Sequence, residues 1–123
     1  MSKYKSKKIE HNGKTFDSKK EYRRYCELEV MQRHGDITDL QTQVKFELIP
    51  SQREPDTIGP RGGIIKGKAI ERPVTYVADF VYQQNGETVV EDIKGLKDST
   101  AYDVFAIKRK LMLWVHGIRI KEI

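Results

Sequence analysis

The 123-residue sequence contains one cysteine, Cys26, and no apolar run as long as a bilayer requires. A lone cysteine excludes an internal disulfide framework and any cysteine-rich zinc site. The three histidines, His11, His34 and His116, lack ligand spacing with one another and read as surface or terminus residues. The opening stretch, MSKYKSKKIEH, is basic, but no apolar segment follows it, which argues against a secretory leader. Internal repeats and low-complexity tracts are absent. What remains is a chain 37% hydrophobic and 33% charged, expected to form one domain over 1–123 in the cytoplasm.

The charge present is unevenly placed. The net value is +5, yet residues 1–24 carry nine Lys and Arg against Glu10, Asp17 and Glu21, so that segment is +6 and the remainder −1. A basic segment, 1–16 at its core, on a near-neutral body suits a polyanion through counterion release. An ordinary solvated basic face accounts for the charge equally well.

Periodicity predicts a small hairpin at Asn12-Gly13 and then a helix capped by Asp17 or Ser18 and ended by Gly35. Glu21, Tyr25, Leu28 and Met31 share one stripe of that helix. A strand pattern runs from Ile37 to Ile49. Residues 50–73 then break all pattern with four prolines and four glycines, and are expected to form a long flexible loop, or a hairpin around Lys66-Gly67. A strong hairpin signal at Asn85-Gly86 follows. The second helix is expected from Ser99 to His116, with Val104, Ile107, Leu111, Trp114 and Val115 as its core stripe, and a last strand after Gly117.

A two-residue turn sets the hairpin register. With Asn85 and Gly86 as the turn, Val81 faces Val90, Phe80 faces Glu91 and Asp79 faces Asp92. Val77, Asp79, Val81, Val90, Asp92 and Lys94 then share a face, while Ala78, Phe80, Tyr82, Val89, Glu91 and Ile93 share the other. Facing acids roughly 5 Å apart at Cβ destabilise a hairpin, and burial among valines adds to the cost. A divalent cation relieves both, and oxygen ligands suit Mg²⁺ or Mn²⁺. Lys94, one step along, can position a water or compensate charge, as phosphodiester hydrolysis requires. The plain alternative is an Asp79–Lys94 ion pair with Asp92 solvated. Glu21 approaches the same cation if its helix packs on the valine face; otherwise it sits at the solvated rim and favours the helix dipole.

With the element order, Asp79, Asp92 and Lys94 resemble the PD-(D/E)xK nuclease superfamily, near the Holliday-junction resolvase and TnsA-type branches. The stretches KTFDSKKEYRRYCELE, QVKFEL, YVADFVY, VVEDIKG and IKRKLMLWVHGI resemble a family of small phage-encoded proteins. The resemblance implies an α/β, restriction-endonuclease-like core: a central mixed sheet flanked by helices, in the order helix-strand-hairpin-helix-strand. It implies a Mg²⁺-dependent DNA endonuclease, acting on branched DNA in the resolvase-like case. Asp79, Asp92, Glu21 and the Ile93 backbone carbonyl would hold the metal, and Lys94 would act in catalysis. The position before Asp79 is Ala78 and not proline, a departure that the resemblance tolerates because proline is often absent there in the superfamily. Glu91, on the opposite face, is excluded as a ligand. Expected DNA contacts come from Lys19, Lys20, Arg61, Lys66, Lys68, Lys97 and Lys108, with Arg109 and Lys110 beside the last, although a solvated helix face explains those three as well. The competing expectation is a catalytically inactive DNA-binding or assembly module of a phage replication, recombination or packaging complex. A homodimer is a further expectation of the resolvase likeness.

Overall fold

The computed structural model describes residues 8–95 and 99–123. Strands β1 (Ile9–His11) and β2 (Lys14–Phe16) form a hairpin whose turn residues, Asn12 and Gly13, take φ of 51° and 78°, as the Asn-Gly signal predicts. Helix α1 (Lys19–Arg33) starts at Ser18, whose Oγ accepts from the Glu21 N–H at 3.1 Å. β3 (Thr38–Ile49) is followed by β4 (Gln52–Arg53), β5 (Thr57–Ile58), β6 (Ile64–Ile65) and β7 (Ala69–Glu71). The main hairpin is β8 (Val74–Gln84) and β9 (Glu87–Asp92), followed by α2 (Thr100–His116) and β10 (Lys121–Glu122). Ser99 caps α2 and Gly117 ends it at φ 68°, a left-handed position suited to glycine.

The central sheet has the order β10-β9-β8-β3, with β10 parallel to β9 and the other pairs antiparallel. The fold is therefore α/β with a mixed sheet and two helices. In the hairpin, Phe80 pairs with Glu91 and Val81 with Val90, the register that the Asn85-Gly86 turn imposes. No helix among the described residues is long and apolar enough to cross a membrane.

Each helix covers one face of the hairpin. Tyr25 and Leu28 of α1 pack with Phe16, Ile37, Phe80 and Tyr82. Phe105 and Met112 of α2 pack with Val81, Val90, Tyr76, Ala78 and Ile120. This corrects three expectations. The valine face is covered by α2 and not by α1, because α1 offers large aromatic contacts that match Phe80 and Tyr82. Ala78 lies on the opposite face from Phe80: the alternation of β8 changes phase at Asp79, across from Gln43, which takes a φ of 52° in mid-strand. Val77, expected on the buried valine face, is consequently 46% exposed.

The third correction concerns α2. Most of its expected core stripe faces outward, with Trp114 86% exposed and Ile107 60%; of the stripe Leu111 packs against the core, and the buried residues are Phe105 and Met112. The helix is apolar on more than one side, so periodicity alone did not say which side the sheet would take.

Residues 50–73 are not a loose loop. β4 pairs with β7 and β5 with β6, forming an antiparallel arm. Its turn lies at 59–63, where the Gly59 N–H donates to the Gly63 carbonyl at 2.7 Å, and not at Lys66-Gly67. Gly67 sits in the neck, where an added Cβ would come within 1.7 Å of the Glu54 carbonyl oxygen, so no larger residue fits without moving backbone.

Candidate active site

The change of phase at Asp79 brings three elements together. Glu21 from the first turn of α1, Asp79 from β8 and Asp92 from the end of β9 line one pocket of about 440 Å³ with Lys20 and Ile93. Although α1 packs on the aromatic face, the kink turns Asp79 toward the helix start. Gln43 Nε2 bridges the two, donating to Glu21 Oε1 at 3.1 Å and to Asp79 Oδ1 at 3.3 Å. The second oxygen of Asp79 accepts from the Ile93 N–H at 2.8 Å. The second oxygen of Glu21 accepts from the Asp17 N–H at 2.8 Å, so Glu21 also helps close the helix start.

Asp92 faces the α2 side. One oxygen accepts from the Tyr76 hydroxyl at 2.5 Å, and the other meets Lys94 Nζ at 2.6 Å. Lys94 Nζ lies 3.5 Å from the centroid of the Phe105 ring, a cation–π contact that fixes the ammonium. The ion pair of this hairpin is thus Lys94 with Asp92, and not Lys94 with Asp79. A second hollow, about 330 Å³, opens on this side and is lined by Asp92, Lys94, Phe105 and Lys108. Asp92 borders both hollows.

The charges are crowded. Burial, with the neighbouring charges of Asp79 and Asp17, pushes Glu21 from 4.5 up to about 7 against the opposing Asp17 N–H. Burial and the Asp92 charge raise Asp79, while the Ile93 N–H and Gln43 pull it back. Burial and Asp92 raise the Tyr76 phenol, which keeps it a hydrogen donor. The neighbouring Glu91 is handled oppositely. Burial pushes it up, but Arg24 and Tyr82 more than offset this and hold it below its ordinary value. Arg24 grips both Glu91 oxygens, at 2.8 and 2.7 Å, and the Tyr82 hydroxyl donates to one of them. Glu91 is an internal ion-pair acid on the α1 side, opposite Asp92, as its register predicts.

Whether a divalent cation fits is a matter of donor chemistry. Three carboxylates and the Ile93 residue edge one open pocket, and oxygen donors of this kind suit Mg²⁺ or Mn²⁺. Two of the acids have raised affinity for protons, which signals uncompensated negative charge. Yet among the described residues no three His, Cys, Asp or Glu side chains form a ready-made ion-binding group. Gln43 and Lys94 occupy the oxygens that an ion would take. The donor set fits in kind, and ion entry requires Gln43 and Lys94 to yield.

The expected DNA-contact residues are dispersed. Lys20 is at the pocket, where its Nζ donates to the Lys94 carbonyl at 2.8 Å, and Lys108 lines the second hollow. Lys19 is exposed at the start of α1, and Arg61, Lys66 and Lys68 are exposed on the arm. Lys97 and residues 1–7 of the basic segment lie outside the described residues. Arg109 is engaged by Glu122 and Tyr102, which removes it from the phosphate-facing set. Two residues went unforeseen: Gln43, which bridges Glu21 and Asp79, and Tyr76, which holds Asp92. The β3–β8 register would have exposed Gln43, but a long connection, not a tight turn, separates those strands.

A family model described as protein of unknown function (DUF1064) matches residues 1–117. The chain belongs to this family. No curated protein and no solved structure matches it.

Proposed function

We propose that the protein is a divalent-cation-dependent DNA endonuclease with a restriction-endonuclease-like core, acting on branched DNA in the manner of a junction resolvase. One observation carries this reading: Glu21, Asp79 and Asp92, from three separate elements, border a single pocket, with the Lys94 ammonium 2.6 Å from Asp92. Crowding acids against burial costs stability, and acids perturbed in this way cluster at sites that use their charge. Mg²⁺ or Mn²⁺, held by the three carboxylates and the Ile93 carbonyl, would supply charge neutralisation at the phosphate and a more acidic water. Tyr76 orients Asp92 through its hydroxyl, and the Ile93 N–H orients Asp79. Lys94, steadied by the Phe105 ring, presents its ammonium to the attacking water or to the phosphate oxygen where charge develops. Lys20 and Lys108 offer phosphate contacts on either side.

The test is incubation with linear duplex, single-stranded and four-way-junction DNA in Mg²⁺ or Mn²⁺. Cleavage that disappears in Asp79→Ala supports the reading; no cleavage of any substrate, or an unimpaired Asp79→Ala, defeats it. The second reading is a non-catalytic DNA-binding or assembly module of a phage replication, recombination or packaging complex. It is favoured by the direct Lys94–Asp92 pair, which neutralises the acid without a metal. Binding of DNA without cleavage, with no thermal shift in Mn²⁺, would establish it.

A further inference from the structure

Apolar side chains on the outer side of α2 follow a strict spacing. Val104, Ile107, Leu111 and Trp114 recur at intervals of three, four and three, the a and d positions of a heptad seam. Val104 is 48% exposed, Ile107 60% and Trp114 86%, and Leu113 and Val115 beside them are about half exposed. The helix meets the sheet chiefly through Phe105 and Met112; of the seam only Leu111, half-buried, also packs against that core, so Val104, Ile107 and Trp114 carry its exposed surface. A fully exposed tryptophan carries on the order of 150–250 Å² and the aliphatic side chains somewhat less, so Val104, Ile107, Leu113, Trp114 and Val115 together leave roughly 500 Å² of apolar surface in water. That is near the upper end for a monomer, and with polar flanks it approaches the roughly 800 Å² per partner of a standard interface.

The flanking charges choose the occupant and its direction. With Val104 at a, Asp103 is a g position and Lys108 the following e position. In a parallel helix pair, g of one chain lies beside the next e of the other. Two copies of α2 about a two-fold axis therefore place Asp103 beside the partner's Lys108, twice. An antiparallel pair would instead set Lys108 against the partner's Lys108. Among the described residues, neither Asp103 nor Lys108 forms an ion pair within its own chain.

We infer that the protein is a homodimer joined by a parallel pairing of α2 with α2. Lys108 also lines the hollow shared with Asp92 and Lys94, so each hollow is bordered by Asp103 of the partner subunit. The inference stands whether or not the site is catalytic.

Trp114 is the single tryptophan, so its emission reports on this face directly. Sedimentation equilibrium of the full chain is expected to give a dimer with a Kd of about micromolar order, and Trp114 emission should shift to the red on dilution. Ile107→Lys should be monomeric, with native circular dichroism and red-shifted emission. Asp103→Lys should weaken association about tenfold or more, and Asp103→Lys with Lys108→Asp should return to within about threefold of the parent. A monomer at every concentration up to about 100 μM overturns the inference. So does a dimer whose affinity ignores Ile107→Lys and the charge swap. A monomer whose Trp114 emission shifts only on adding duplex DNA assigns the face to DNA and overturns it equally.

Discussion

The two helices differ in a way their composition reverses. α1, KKEYRRYCELEVMQR, is the more polar, yet it buries Glu21, Tyr25 and Leu28 and engages Glu91 through Arg24. α2, TAYDVFAIKRKLMLWVH, is the more apolar, yet it fully buries only Phe105 and Met112 and turns most of its regular apolar stripe to solvent. A helix docks on the side that complements the sheet, not on its most hydrophobic side. α1 brings hydrogen bonds and charge to a face that presents Glu91, Phe80 and Tyr82. α2 brings compact apolar groups to Val81, Val90 and Ala78.

The sharpest way to break this contrast is at Arg24. Arg24→Met strands Glu91, which is fully buried, and is expected to cost about 3–5 kcal/mol in urea unfolding. Arg24→Met with Glu91→Leu should recover much of that loss, because it removes the charge together with its partner. A result below about 1 kcal/mol for the single variant would mean that α1 is not held by this ion pair.

Next in size is the effect of a cation at the acidic pocket. Mn²⁺ at about one hundred times its Kd should stabilise the parent by about 2.7 kcal/mol, read as a rise in melting temperature. Asp79→Ala should abolish the rise. Equal shifts in parent and variant would place the ion elsewhere.

A smaller effect follows from Glu21. Its folded pKa of about 7 lies above the ordinary 4.5, so the folded state keeps a proton that the unfolded chain releases. That contribution is fully present below pH 4.5 and is lost as pH rises through 7. Asp79, also raised, acts in the same direction. Without divalent ions, the parent should therefore lose stability between pH 4.5 and 7, and Glu21→Gln should flatten the profile. Denaturant midpoints across that range decide it; identical slopes would show Glu21 to be ordinarily acidic.

The smallest effect is expected on the exposed stripe of α2. Trp114→Ser should change the stability of the monomeric form by no more than about 0.5 kcal/mol, since little contact is lost within one chain. Measured in the Ile107→Lys background, this separates folding from association. A loss of 2 kcal/mol or more, of the order of a buried core truncation, would mean that Trp114 packs within its own subunit.

Much of the site was legible before any coordinates. Asn85-Gly86 set a register that pairs Phe80 with Glu91 and places Glu91 toward α1, where Arg24 meets it. The expected shared face of Asp79 and Asp92 gives way to the kink, which turns Asp79 toward α1 and leaves Asp92 toward α2. Ser18, Ser99 and Gly117 marked helix ends by capping chemistry confined to a few residues. Gln43 was not legible, because its place opposite Asp79 depends on β3 meeting β8 across an arm with no tight-turn signal. Tyr76 was not legible either. Strict alternation from Phe80 predicts the wrong face for it, and only the kink at Asp79 reverses that.

The sequence by itself determined what acts over a few residues: caps, Asn-Gly turns, hairpin register and the apolar spacing of each helix. Backbone sterics and local hydrogen bonds are complete within such short spans. Tertiary structure decided which helix covers which face, where β8 changes phase, and that Glu21 and Asp79 share a pocket through Gln43. Those outcomes depend on burying shapes and charges contributed by residues far apart in the chain, and no local pattern contains that sum.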